Sequence, residues 1–198
     1  MSLRVVVLAS GTGSLFHALL EARGADYEIV ALVTDNPRAG AIEIADRSGV
    51  DVRVVEPGNF ADREEWDIAL AASIAEFKPQ LVVSAGFMRI LGGNTLAEFP
   101  DRIINTHPAL LPSFPGAHAV RDALAAAAPE TGSTVHLIDA GVDTGPLIAQ
   151  ETVAILPADD EATLHERIKV VERRLLVDVV RRIARHGLSV HDRKVTLP

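Results

Sequence analysis

Five short runs of apolar and β-branched residues, Arg4 to Ala9, Glu28 to Thr34, Val52 to Val55, Leu81 to Ser84 and Arg102 to Asn105, recur through the first half of this sequence, separated by stretches with helical spacing. Runs that are apolar at nearly every position offer water no polar face, so strands made from them have to be covered on both sides. A parallel sheet with helices over both faces satisfies that demand, which predicts a doubly wound, Rossmann-like α/β fold. Ligands of such folds gather beyond the C-terminal ends of the strands. The pattern changes after Asn105. Gly132 to Ile138 and Leu147 to Ile155 read as strands joined by the turn Asp139 to Pro146, a spacing that suits an antiparallel return. The sheet is therefore expected to be mostly parallel with an antiparallel C-terminal part. Asp159 or Asp160 would cap a long last helix whose apolar stripe is Leu164, Ile168, Val171, Leu175, Val179 and Ile183, with Gly187 as its stop. The alanine-rich stretch Ala123 to Ala128 reads as helix, and no repeat or linker divides the chain, so one domain over 1–198 is expected.

Charge and composition narrow the partners. With 198 residues and 48% apolar content the chain can bury one large core. A net charge of −8 and a pI near 5.3 argue against a nucleic-acid partner, although a local basic pocket can still receive one small anion. Cysteine is absent, which removes disulfides and thiolate metal sites and fits a cytoplasmic protein. No run approaches membrane-spanning length, and the N-terminus lacks the pattern of a cleaved leader. Small-molecule substrates, no membrane, and a monomer or homodimer are the expectation.

Two segments carry chemistry. Ser10-Gly11-Thr12-Gly13-Ser14 lies between the first strand and the amphipathic run Leu15 to Leu20, so its amides should face outward at a helix start, where phosphate is favoured. A dinucleotide site is the competing reading, since Gly11 and Gly13 form a G-x-G pair and Asp35 follows at the distance of a ribose-binding acid. Phe16, however, takes the place of the third glycine, and no P-loop lysine is present. One phosphate suits this turn better than a pyrophosphate.

The second segment is Ile103-Ile104-Asn105-Thr106-His107-Pro108, which delivers an amide and an imidazole on one strand face before proline ends the strand. Asp143 returns in the turn Asp139-Ala140-Gly141-Val142-Asp143-Thr144-Gly145-Pro146. Attack by an amine on an acyl carbon builds negative charge on oxygen and leaves surplus protons on nitrogen. A hydrogen-bond donor, a proton carrier and a carboxylate behind the carrier meet those needs. Zinc held by His107, His136 and Asp143 is disfavoured by the spacing of the histidines, so no metal is expected. A serine hydrolase is disfavoured because Ser14 and Ser84 lie in no G-x-S-x-G elbow.

These segments, together with Ala85-Gly86-Phe87-Met88-Arg89-Ile90-Leu91 and Asn105-Thr106-His107-Pro108-Ala109-Leu110-Leu111-Pro112, closely resemble the phosphoribosylglycinamide formyltransferases, folate-dependent enzymes of purine synthesis. The motif order matches from the first strand to the final helix. Relatives that formylate initiator tRNA carry an added nucleic-acid-binding domain, and formyltetrahydrofolate deformylases an N-terminal regulatory domain; this chain is expected to hold neither. The resemblance implies a formyltransferase fold with a nucleotide-binding half over about 1–100 and a folate-binding, catalytic half over about 101–198. It implies 10-formyltetrahydrofolate as formyl donor and glycinamide ribonucleotide as acceptor. His107 would be the proton donor, Asn105 the donor to the formyl oxygen, and Asp143 the carboxylate supporting protonated His107. The folate ring would lie against Met88, Arg89, Ile90 and Leu91 and meet Asn105 and the backbone of Asp139, Ala140, Gly141, Val142 and Asp143, with Arg63 attracting its glutamate tail. Gly13, Ser14 and Leu15 would hold the ribonucleotide phosphate, and Lys169 and Glu172 would reach the ribose. Two departures bear on the acceptor: Leu15 replaces a common asparagine, and Ser113 a common lysine or arginine. A deformylase or a sugar-nucleotide formyltransferase with the same catalytic set remains an alternative, as do a nicotinamide-linked oxidoreductase and a noncatalytic folate-binding protein.

Overall fold

The first apolar run forms strand β1 (Leu3–Leu8), whose Val5 to Leu8 are fully buried, and a glycine turn leads from it into helix α1 (Ser14–Glu21). In this computed structural model, which describes residues 2–197, the chain continues through β2 (Tyr27–Thr34), α2 (Gly40–Ser48), β3 (Asp51–Val54), a 3-10 turn at Pro57–Asn59, α3 (Arg63–Ala75), β4 (Leu81–Ser84) and α4 (Gly93–Glu98). These elements belong to one compact unit, Met1–Ile104; a second covers Asn105–Pro198. In the first unit the strand order is β3-β2-β1-β4, with β1 parallel to both neighbours and β2 parallel to β3. The order runs outward from β1 to β3 and then restarts at β4 on the other side of β1. That reversal opens a crevice at the C-terminal ends of β1 and β4, where the glycine turn and the loop after β4 emerge.

The boundary between the units falls within β5 (Ile103–His107). The second unit continues through α5 (Ala119–Ala125), β6 (Glu130–Leu137), β7 (Leu147–Ala154), α6 (Glu161–His186) and a hairpin of β8 (Ser189–His191) and β9 (Lys194–Thr196). β6 and β7 pair antiparallel from Glu130↔Ala154 to His136↔Leu147, as their connecting length predicts. The fold is thus α/β, mostly parallel with an antiparallel part. Asp160 caps α6 in a reciprocal capping box with Thr163, and Gly187 stops it.

Two sequence expectations need correction, and one element is new. The buried stripe of α6 is Leu164, Ile168, Glu172, Leu176, Val177, Val179, Val180 and Ile183; Val171 and Leu175 are only half-buried. The stripe follows four-residue steps through Glu172, a position that hydropathy alone assigns to solvent. Helix α5 ends at Ala125 instead of running to Ala128, and Ala127 has a left-handed φ of 47°. The β8–β9 hairpin was not anticipated; its two-residue turn, Asp192 and Arg193, has φ of 47° and 59°, the backbone of a tight hairpin.

Candidate active site

Strand alternation sorts the end of β5 by chemistry. Thr106 points to one side, where its hydroxyl donates to Glu172 Oε1 at 3.1 Å and lies 3.3 Å from Ser133 Oγ. Asn105 and His107 point to the other. Asn105 Nδ2 lies 3.2 Å from His136 Nε2, and His107 Nδ1 lies 3.4 Å from Asp143 Oδ2. The remaining carboxylate oxygen, Asp143 Oδ1, is 3.6 Å from His136 Nε2. One carboxylate therefore faces two imidazoles, each less than 5% exposed.

Backbone carbonyls settle half of the proton inventory. His107 Nε2 donates to Phe114 O at 2.8 Å, and His136 Nδ1 donates to Leu137 O at 2.8 Å. Each ring thus has one nitrogen fixed as N–H, and its second nitrogen turns toward Asp143. A proton added to His107 would land on Nδ1, beside the carboxylate that stabilises it.

Asp143 is shaped for this duty. Its backbone sits at φ 54°, in the left-handed region that aspartate and asparagine tolerate better than most residues. Gly116 N donates to its Oδ2 at 2.7 Å. The His136 ring is the main influence holding the Asp143 carboxyl down at about 2, against the burial that pushes it up; Gly116 and His107 add to the effect. It is ionised at neutral pH. Its turn is tied together by Asp139, which accepts from Thr144 Oγ1 at 2.7 Å and Gly141 N at 3.1 Å, and Arg193 from the hairpin donates to Asp139 Oδ2 at 3.0 Å and Thr144 O at 2.7 Å.

Glu172 is 5% exposed on α6; burial pushes its carboxyl up, and the Thr106 hydroxyl and the charges of Lys169 and Arg173 offset part of that. Lys169 pairs with Glu166 at 2.7 Å. Among the described residues no group of three or more histidine, aspartate or glutamate side chains is arranged to hold a metal ion.

The first unit holds the remaining predicted residues. Gly13 starts α1 at φ 78°, and a Cβ there would lie 2.8 Å from Ala41 Cα, so only glycine fits between this turn and α2. The first-turn amides of α1, Ser14 and Leu15 among them, have no acceptor within the helix. Asp35, the acid of the dinucleotide reading, is 6% exposed and has both oxygens occupied: Oδ1 by Ser10 Oγ at 2.5 Å and Oδ2 by Arg89 Nε at 2.7 Å. Arg63 donates to Ile90 O at 3.1 Å. Met88 and Ile90 are 76% and 54% exposed, whereas Leu91 is buried.

The structure thus brings Asn105, His107 and Asp143 together. Sequence reasoning missed His136 as the partner of Asn105 and Asp143, weighing it only as a metal ligand; its place at the end of a strand that leads into the Asp139 turn was the available signal. It also missed Phe114 O and Gly116 N, backbone groups that carry no residue-type signal.

Comparison with known proteins follows the same line. The model of the formyl transferase family matches residues 3–180. The phosphoribosylglycinamide formyltransferase of Mycobacterium tuberculosis is 54% identical over 196 residues, covering 98% of this chain and 91% of that protein. The human trifunctional purine biosynthetic protein adenosine-3 is 35% identical over 184 residues, 91% of this chain and 18% of that longer protein. The crystal structure of glycinamide ribonucleotide transformylase 1 from Symbiobacterium toebii superposes with a TM-score of 0.95 at 37% identity, covering 99% of this chain and 94% of that one.

Proposed function

Because this chain belongs to the formyl transferase family, we propose that it transfers the formyl group of 10-formyltetrahydrofolate to the amine of glycinamide ribonucleotide, a step of purine biosynthesis. The observation that carries the reading is the ionised Asp143 facing His107, with the Asn105 amide on the same strand face. The amine attacks the formyl carbon, and the carbonyl π electrons move onto oxygen, where the Asn105 N–H donates to the oxyanion. His107, protonated on both nitrogens beside Asp143, gives a proton to the folate nitrogen as its bond to carbon breaks. The attacking nitrogen gives its surplus proton back to the now neutral His107, directly or through water, so formylated amine and tetrahydrofolate leave with the enzyme restored and no covalent intermediate formed. Transfer of the Nε2 proton requires the substrate to replace Phe114 O as its acceptor. Phe114 presents that carbonyl from a left-handed backbone at φ 54°.

Met88, Arg89, Ile90 and Leu91 receive the folate ring, Asn105 and the backbone of Asp139 to Asp143 meet it, and Arg63 favours its glutamate tail. The Gly13, Ser14 and Leu15 backbone receives the phosphate, and Lys169 and Glu172 the ribose. The protein works on small molecules in the cytoplasm, as a monomer or homodimer; no helix among the described residues is long and apolar enough to cross a membrane.

The deciding experiment is product analysis. Incubation with 10-formyltetrahydrofolate alone should leave it intact, and addition of glycinamide ribonucleotide should yield formylated amine and tetrahydrofolate in equal amounts. Formate release without amine would mean a deformylase, and turnover only with a sugar-nucleotide amine would move the acceptor. Nicotinamide dinucleotide should not bind, because the acid that would meet its ribose is already paired twice.

A further inference from the structure

The loop between β4 and α4 holds the Met88 to Leu91 segment, and its backbone is pinned almost residue by residue. Gly86 O accepts from Ser10 N at 3.1 Å, Met88 N donates to Ser10 Oγ at 2.8 Å, Ile90 O accepts from Arg63, and Gly92 N donates to Asp67 Oδ1 at 2.8 Å. The side chains behave differently: Phe87 and Leu91 are buried, while Met88 and Ile90 stand in solvent. A fixed backbone that presents large apolar side chains outward is organised for a flat apolar ligand before the ligand arrives.

Half of those bonds, and the ring stacked on Phe87, come from one face of α3. Arg63, Trp66 and Asp67 occupy positions i, i+3 and i+4 and so project together. Arg63 holds Ile90 O, Trp66 stacks on Phe87 with ring centroids 6.4 Å apart, and Asp67 closes the loop's far end. The Asp67 carboxylate is buried and accepts from the amides of Gly92, Asn94 and Thr95 and from Thr95 Oγ1 at 2.7 Å. Burial pushes this carboxyl up, but those hydrogen bonds outweigh it and keep the group ionised. Helix α4 needs the contribution: its N-cap, Gly92, has no side chain with which to satisfy the first-turn amides. A Cβ on Gly92 would lie 2.4 Å from Asp67 Cγ. The absent side chain and the borrowed carboxylate therefore occupy the same space.

We propose that Asp67 is a positioning residue for the reduced-folate substrate: by capping α4 from α3 it fixes the end of the Met88 to Leu91 platform and so sets folate affinity without touching the reacting atoms. The inference rests on the assignment of that platform to folate. Asp67→Asn keeps the size of the side chain but turns one acceptor into a donor facing amide N–H groups. The Michaelis constant for 10-formyltetrahydrofolate should rise about tenfold, with kcat and the Michaelis constant for glycinamide ribonucleotide each changed by less than about twofold, and amide exchange over residues 86–92 should quicken at least about tenfold. Thr95→Val, which deletes one donor and keeps the shape, should give the same split at smaller amplitude and decides the matter if the asparagine variant does not fold. An unchanged folate constant in an active, folded variant overturns the proposal. So does an equal loss across both substrates and kcat, the mark of plain destabilisation. If the wild-type protein neither binds nor turns over 10-formyltetrahydrofolate, the folate reading itself fails and takes this inference with it. That case is recognisable because exchange over 86–92 would still respond to Asp67→Asn.

Discussion

Replacing Asp143 by asparagine is a clean perturbation, because asparagine keeps the size, the backbone donors and the tolerance for φ 54° that this turn demands. What changes is charge. The folded protein holds the carboxyl down at about 2 from an ordinary 3.8, mainly through the His136 ring, so the charge is present at neutral pH. His107 Nδ1 stands 3.4 Å from Asp143 Oδ2, and a hydrogen bond to a charged group contributes about 1.5 to 3 kcal/mol, with this long contact at the lower end. The expected fall in kcat for Asp143→Asn is about tenfold, with the Michaelis constant for 10-formyltetrahydrofolate changed by less than about threefold. The assay is steady-state formyl transfer at neutral pH with both substrates varied. A kcat within about twofold of wild type would refute the carboxylate's role. The same shift has a stability consequence with a fixed sign. A lowered carboxyl contributes stability that is complete above its unfolded value near 3.8 and lost as pH falls toward about 2, so the stability gap between wild type and variant should close across that window and be flat above it.

Glu172→Gln should act in opposite directions on stability and binding. Burial raises this carboxyl, so its protonated form is favoured in the folded state; the stabilisation is complete below about 4.5 and lost as pH rises through the folded value. The glutamine variant should therefore melt higher than wild type at neutral pH, converge with it toward pH 4, and bind glycinamide ribonucleotide about tenfold more weakly. A variant that melts lower at neutral pH would contradict the burial argument. Gly13→Ala meets both a left-handed φ of 78° and a Cβ contact of 2.8 Å, and should lose about 2 kcal/mol in chemical denaturation; a neutral result would mean that the turn and α2 relax freely. Arg193→Ala removes the clamp on the Asp139 to Pro146 turn, and a drop in kcat of about threefold with less than about 0.5 kcal/mol of stability is expected. A loss of stability without a change in kcat would show the hairpin to be scaffold only.

Legibility in the sequence followed the range over which each signal acts. The strands, the antiparallel return after Asp139, the capped α6 and the glycine turn before α1 were readable because periodicity, caps and turn residues act within a few positions of themselves. The motif residues Asn105, His107 and Asp143 were readable as chemistry for the same reason: their types and local settings advertise it. Glu172 was assigned its ligand by resemblance, yet its burial was misjudged, although steps of four from Ile168 through Glu172 to Leu176 trace the buried stripe. The hairpin at Ser189 to Thr196 escaped because its strands are short and its turn lacks glycine.

The sequence by itself determined which elements form, which faces are apolar and which side chains can exchange protons, since these depend on neighbours along the chain. Only the tertiary structure decided that one carboxylate faces two histidines from separate strands, that backbone carbonyls of Phe114 and Leu137 select their protonated nitrogens, and that Asp67 caps a helix to which it does not belong. Those are meetings of groups distant in the chain, and the free energy that holds them there comes from exclusion of water around charges and amides, which exists only once the core has closed.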